Sequence, residues 1–173
     1  FQIIDAEDQG RLVRRIIKNL DIDEERYSAK KAQWFINKNK DEGLRAAQVK
    51  IRANDIMERT FLRIYEAYEE LCQRGGIVDF AELLLRTLEL LQNNSELLAH
   101  YQQRFQHILV DEFQDTNAIQ YNWLRTLASS QAYVMIVGDD DQSIYSWRGA
   151  KVENIRRFQR EFSDTRTILL EQN

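Results

Sequence analysis

"ILVDEFQDTN", residues 108–117, is a short run of bulky aliphatic side chains that ends abruptly in acid. Such a run is too short for an amphipathic helix. It predicts a buried strand over "HILVDE" that delivers Asp111 and Glu112 at its carboxyl end. A second run, "AYVMIVGD", closes in acid in the same way, and "TRTILLEQ" near the C-terminus is a third. Helical stretches lie between them: "NAIQYNWLRTLA", with Asn117 as its cap, and "VENIRRFQREF". Alternating strands and helices imply an α/β fold, with a parallel sheet covered on both faces and function collected at the carboxyl ends of its strands.

Upstream the pattern is helical. "DAEDQGRLVRRIIKNL" offers Asp5 as N-cap and places Leu12, Ile16 and Leu20 on one face. A second helix starts near Ser28 and carries Trp34, Phe35 and Ile36, with Trp34, like Trp123, expected in the core. Asp55 followed by Glu58 has capping-box spacing and opens a helix with Phe61, Ile64, Tyr65, Tyr68 and Leu71 on one stripe, stopped by Gly75 and Gly76. The double glycine marks the expected boundary. "VDFAELLLRTLELL" then starts afresh with Asp79 as cap and Glu82 three residues on, and a shorter helix capped by Ser95 follows. The expected organisation is a helical unit over 1–78 and an α/β unit over 79–173.

Composition narrows the function classes. The 173 residues include no proline, so long helices are unobstructed, and one cysteine, Cys72, which excludes a disulfide framework or thiolate metal cluster. No apolar run approaches the ~20 residues of a membrane span, and no export signal is visible, so a reducing cytoplasmic setting is expected. The net charge of −4 argues against a globally basic nucleic-acid binder. Residues 26–52 nevertheless hold eight basic side chains against only Asp41 and Glu42, a local basic stretch able to meet phosphates or simply to face water. His100 and His107 have no metal-ligand spacing.

Two acidic clusters sit at strand ends: Asp111, Glu112 and Asp115, then Asp139, Asp140 and Asp141. If the strands are neighbours, these carboxylates share one rim and call for a cation, a hard divalent metal being suitable. Asp115, Asp140 and Asp141 serve equally well as helix caps. An apolar strand delivering Asp then Glu suits nucleotide hydrolysis, one carboxylate holding magnesium and the next orienting or deprotonating water. A two-metal nuclease, a palm-type polymerase turn built on "GDDD", and a non-catalytic DNA-binding module are the alternatives. The first two leave "QSIYSWRG", residues 142–149, unexplained.

"ILVDEFQDTN", followed by "VGDDDQSIYSWRGA" at 137–150, resembles helicase motifs II and III of the UvrD/Rep/PcrA-like superfamily 1 DNA helicases, the UvrD branch foremost. The resemblance extends through "VDFAELLLRT" and "ILLEQN", and the helical first half is similar, through weaker motifs, to the family's 1B subdomain. It implies a fold in which residues 79–173 form part of a RecA-like P-loop NTPase sheet, the 1A motor domain. It also implies roles. Asp111 binds the magnesium of MgATP, Glu112 is the catalytic base, and Gln142 senses the γ-phosphate. Tyr145 and Trp147 stack on bases of single-stranded DNA, Phe80 lines a further base pocket, and Arg148 links the nucleotide and DNA sides. The implied activity is ATP-dependent 3'–5' translocation and unwinding in DNA repair, on single strands and single/double-strand junctions. Repair proteins are the implied partners of the parent, and no membrane is involved.

Two features qualify that expectation. The chain contains no GxxxxGK[ST] and no Gly-Lys pair, so an internal fragment, inactive alone, is expected. In the family the P-loop strand lies between the motif III strand and the one matching "TRTILLEQ". The expectation is therefore that strand 132–138 finds another neighbour, either the chain's own C-terminal strand or a second copy.

Overall fold

The computed structural model describes residues 1–52, 54–139, 153–162 and 165–168. Among these the chain forms seven α-helices and two small parallel sheets. The helices begin where short polar side chains can occupy the free amides of a first turn. Asp5 accepts from Asp8 N at 2.8 Å and opens α1 (Ala6–Asn19); Ser28 opens α2 (Ala29–Asp41). Asp55 accepts from Glu58 N at 2.9 Å and opens α3 (Ile56–Gly75), which ends at Gly76 in the left-handed region, φ 60°. Asp79 accepts from Glu82 N at 2.7 Å and opens α4 (Phe80–Asn93). The cap of α5 (Ser95–Arg104) is Asn94, whose side-chain Oδ1 accepts from Leu97 N, and Ser95 becomes the first helical residue. Asn117 and Gln120 form a reciprocal capping box at the start of α6 (Ala118–Leu127), and α7 spans Glu153–Glu161.

α1, α2 and α3 enclose the larger core, with Val13, Ile16, Ile17, Ala32, Phe35, Ile36, Phe61, Ile64, Tyr65 and Tyr68 at its centre. Trp34 is not there. It lies on the opposite side of α2 from Ile36 and is 58% exposed, which corrects the expectation of a core tryptophan. Trp123 packs partly buried beside Leu85, Leu88 and Ile119. A pairing the hydrophobic pattern does not announce joins the N-terminus to the end of α3: β1 (Gln2–Ile3) runs parallel to β2 (Ile77–Val78).

β3 (His107–Val110) and β4 (Tyr133–Ile136) pair in parallel, His107 opposite Tyr133 and Val110 opposite Ile136. One face, carrying Ile108, Val110, Val134 and Ile136, packs on Phe113, Tyr121, Leu124 and Phe158 from α6, α7 and the turn after β3. The other face presents Leu109, Tyr133 and Met135, all exposed. The described sheet is therefore covered on one face, where coverage of both was expected. Thr165–Ile168 forms no strand, and Gln159 Nε2 reaches Thr167 Oγ1 instead, so the third strand is not found over those residues. Within the described residues β4 has β3 as its only partner. No described helix is long and apolar enough to cross a membrane.

The helical half and α4 are joined by buried charge. Lys40, 1% exposed, reaches Asp79 Oδ2 at 2.7 Å and Glu82 Oε2 at 2.8 Å. Tyr68 OH and Gln9 Nε2 also donate to Asp79 Oδ2, at 2.7 and 3.2 Å. Arg45 clasps Glu82 and Glu89, and Arg86 adds a third cation to Glu82. Burial alone would raise the Glu82 carboxyl, but Lys40, with Arg86 and Arg45, holds it down at about 2.

Candidate functional site

Parallel pairing brings the carboxyl ends of β3 and β4 side by side, as the alternating pattern predicts. Ladder bonds continue past the strands: Val137 N donates to Val110 O at 2.8 Å and Phe113 N to Val137 O at 3.0 Å. Asp111, Glu112 and Asp139 are thereby exposed at one edge. Asp111 Oδ1 accepts from Glu112 N at 2.9 Å. Glu112 adopts φ 51° and ψ 42°, a left-handed conformation that a residue with a Cβ takes at a cost of roughly 1–2 kcal/mol. The turn thus reverses sharply at the carboxylate expected to act, and the 3₁₀ turn Phe113–Asp115 follows at once.

Gln114 holds this corner together, and the sequence reading gave it no role. Its side chain is buried, its Nε2 donates to Glu112 Oε2 at 2.7 Å, and its Oε1 accepts from Asp139 N at 3.1 Å. One amide therefore ties the Glu112 carboxylate to the chain leaving β4. Gly138 makes room for it: a Cβ there would sit 2.5 Å from Gln114 Oε1 and 3.3 Å from two backbone nitrogens. The signal available in sequence is an amide two residues beyond the acid, with a glycine after the next strand.

Asp115 does not cap a helix. It ends the 3₁₀ turn, and its Oδ1 is buried without a hydrogen-bond partner, while Asn117 caps α6. Asp115 instead lines a cleft of about 570 Å³ together with Ile4, Asp41, Asp79, Phe80 and Asn117. Phe80, the first residue of α4, is 63% exposed on this cleft. Phe80 and the turn following Glu112 thus border one space. Asn117 Nδ2 donates to Asp41 Oδ1 at 3.1 Å, joining the end of α2 to the start of α6. Burial, reinforced by Glu42 and Asp79, pushes the Asp41 carboxyl up to about 6.

Gln142, Tyr145, Trp147 and Arg148, with Asp140 and Asp141, lie outside the described residues. His107 stacks on Tyr133 with centroids 5.2 Å apart, and His100 meets the edge of Tyr101. Among the described residues no group of three or more His, Cys, Asp and Glu side chains is arranged to hold a metal ion. Magnesium bound to a nucleotide needs no such cage. It keeps several waters and takes one or two carboxylates beside the phosphates, a requirement that exposed Asp111 fits.

The chain is 56% identical, over all 173 of its residues, to DNA helicase II of Salmonella typhimurium and to DNA helicase II of Escherichia coli, covering 24% of each. It is 37% identical over its whole length to the ATP-dependent DNA helicase PcrA of Staphylococcus aureus, again covering 24% of that protein. The chain therefore spans about a quarter of the length of the curated relatives it matches. With the UvrD/REP helicase N-terminal domain matched across residues 1–163, the chain belongs to that helicase family.

Proposed function

We propose that this chain is the part of an ATP-dependent 3'–5' DNA helicase in which nucleotide hydrolysis meets the DNA strand. The observation that carries this is the corner at the ends of β3 and β4, where Asp111 and Glu112 emerge together and Gln114 fixes the Glu112 carboxylate to the chain leaving β4. Asp111 would hold magnesium, which supplies charge neutralisation at the transferring phosphate. Glu112 accepts a proton from the attacking water. Gln142 contacts the γ-phosphate, and Arg148 links that side to the strand. Tyr145 and Trp147 stack on bases and Phe80 lines a further base pocket, a grip tolerant of sequence because every base has a π-face.

In this reading residues 1–78 form the 1B subdomain and 79–173 belong to a RecA-like 1A motor domain. The parent works in the cytoplasm in DNA repair, on single strands and junctions. The 173 residues by themselves hold no Gly-Lys phosphate loop, so they lack the positioning and charge stabilisation that turnover requires. The exposed Leu109, Tyr133 and Met135 face supports self-association of the isolated chain.

The test is a DNA-stimulated ATP hydrolysis assay on the 173-residue chain and on a protein of the relatives' full length. Activity is expected only in the latter. Glu112→Gln there removes turnover and leaves nucleotide binding. Turnover by the short chain that Glu112→Gln abolishes would sink this reading.

A further inference from the structure

We propose that the outward face of α2, formed by Lys30, Lys31, Trp34 and Lys38, is a second contact for single-stranded DNA, separate from the contacts assigned to Phe80, Tyr145 and Trp147. At about 100° per residue these four side chains fall within about 100° of arc, while Ala29, Ala32, Phe35 and Ile36 occupy the buried side. All four are exposed. Trp34 is the only tryptophan among the described residues that leaves most of its ring in water, and the Lys38 ammonium sits 5.0 Å from its ring centroid.

Charge on this face is left uncompensated. Some exposed arginines elsewhere are paired within their own helices, Arg11 with Glu7 and Arg74 with Glu70. Among the described residues Lys30, Lys31 and Lys38 form no ion pair, in a chain whose net charge is −4. Asp41 shares the arc at its far end but turns to Asn117. Three free ammonium groups around one exposed indole match a polyanion that also carries flat apolar rings. A single strand has both in every repeat, whereas a duplex hides its base faces and a polyglutamate chain has no rings. An exposed cation–π pair is weak, so a base can take the indole face while Lys38 moves to the adjoining phosphate.

The test uses fluorescence anisotropy of labelled oligothymidylate titrated with the 173-residue chain, alongside a hairpin duplex of equal phosphate count and a labelled polyglutamate. Trp34→Ala is expected to weaken oligothymidylate binding on the order of ten- to a hundred-fold while sparing the duplex. Replacing Lys30, Lys31 and Lys38 by Gln should flatten the slope of log K against log salt by about 2. Both variants should unfold at the wild-type midpoint, since none of the four side chains supports the core. The Trp34→Ala loss should persist in a Tyr145→Ala/Trp147→Ala background, which separates this face from the proposed motor contacts. No binding of oligothymidylate by the wild-type chain, unchanged affinity in Trp34→Ala, an equal loss on duplex, or polyglutamate bound as tightly as DNA would each overturn the proposal.

Discussion

Replacing Lys40 by Met tests how the two halves of the chain are held. The Lys40 side chain is buried, and its ammonium is the only cation within ion-pair reach of Asp79 among the described residues. Met fills nearly the same volume, so the cavity term is small and the change is mainly electrostatic. Asp79 would remain buried, ionised and supported only by neutral donors: Tyr68 OH, Gln9 Nε2 and Glu82 N. Glu82 would keep Arg45 and Arg86. Breaking a buried pair from one side costs about 3–5 kcal/mol, and the surviving donors place this case near the lower end, about 3 kcal/mol. That is a large share of the roughly 5–15 kcal/mol that holds a domain together. Urea unfolding of the 173-residue chain, followed by far-UV circular dichroism, measures it. Asp79→Asn retains a competent N-cap, so in the Lys40→Met background it should restore part of the loss, giving a coupling of about 1–3 kcal/mol. A loss under about 1 kcal/mol, or no coupling with Asp79→Asn, would refute the reasoning.

Asp41→Asn should stabilise the chain at pH 7 by on the order of 1 kcal/mol, a figure discounted for partial exposure. The Asp41 folded pKa of about 6 lies above its ordinary value of 3.8, so its ionisation penalises folding above about 6 and is relieved as pH falls toward 4. Thermal midpoints between pH 4 and 7 should lose that dependence in the variant. Gly138→Ala forces a Cβ toward Gln114 Oε1 and should cost about 1–3 kcal/mol, partly recovered by adding Gln114→Ala; full additivity in urea melts would contradict the contact. In the full-length protein Gln114→Ala should lower the hydrolysis rate with little change in nucleotide affinity, and a change confined to affinity would remove Gln114 from the positioning role. Trp147→Ala there should weaken single-strand binding by about 1–3 kcal/mol, checked by titration of mixed and homopolymeric strands.

The periodic signals proved reliable where one physical cause decides an outcome. Asp5, Ser28, Asp55, Asp79 and Asn117 cap helices because each has a short acceptor one residue before a helical stripe. Both apolar runs ending in acid became parallel strands whose carboxyl ends meet. Legibility fell where a side chain's surroundings come from elsewhere in the chain. Trp34 sits next to buried Phe35 and shares its apolar character, yet at 100° per residue it points away, and only the helical wheel separates the two. Glu82 has the spacing of a capping-box partner, but its carboxylate is drawn to Lys40 and Arg45, residues far away in sequence. Gln114 leaves only a faint sequence signal for the same reason, since its role depends on Asp139 N lying beside it, and that follows from sheet register.

The placement of charge ties these observations together. A buried lysine is tolerable only when carboxylates meet it at close range. Here they do so at Asp79, which is also the cap of α4 and the neighbour of Phe80. The backbone entering α4 is therefore fixed from below by Lys40 and Tyr68, and from within by the Glu82 amide. Phe80 itself stays exposed on the cleft that also reaches Asp115. On the outer side of α2, the same helix that supplies Lys40, the lysines are unpaired. One helix thus spends its inward cation on rigidity and keeps its outward cations available to a polyanion. A strand gripped on that outer face would be held by an element rigidly joined to the start of α4. If Lys40→Met loosens that joint, it should reduce the part of single-strand affinity that depends on Phe80 and leave the part that depends on Trp34 unchanged. A double-mutant cycle of Lys40→Met with Phe80→Ala and another with Trp34→Ala, each titrated with oligothymidylate, separates the two. Coupling to Trp34 without coupling to Phe80 would show that Lys40 acts on α2 alone.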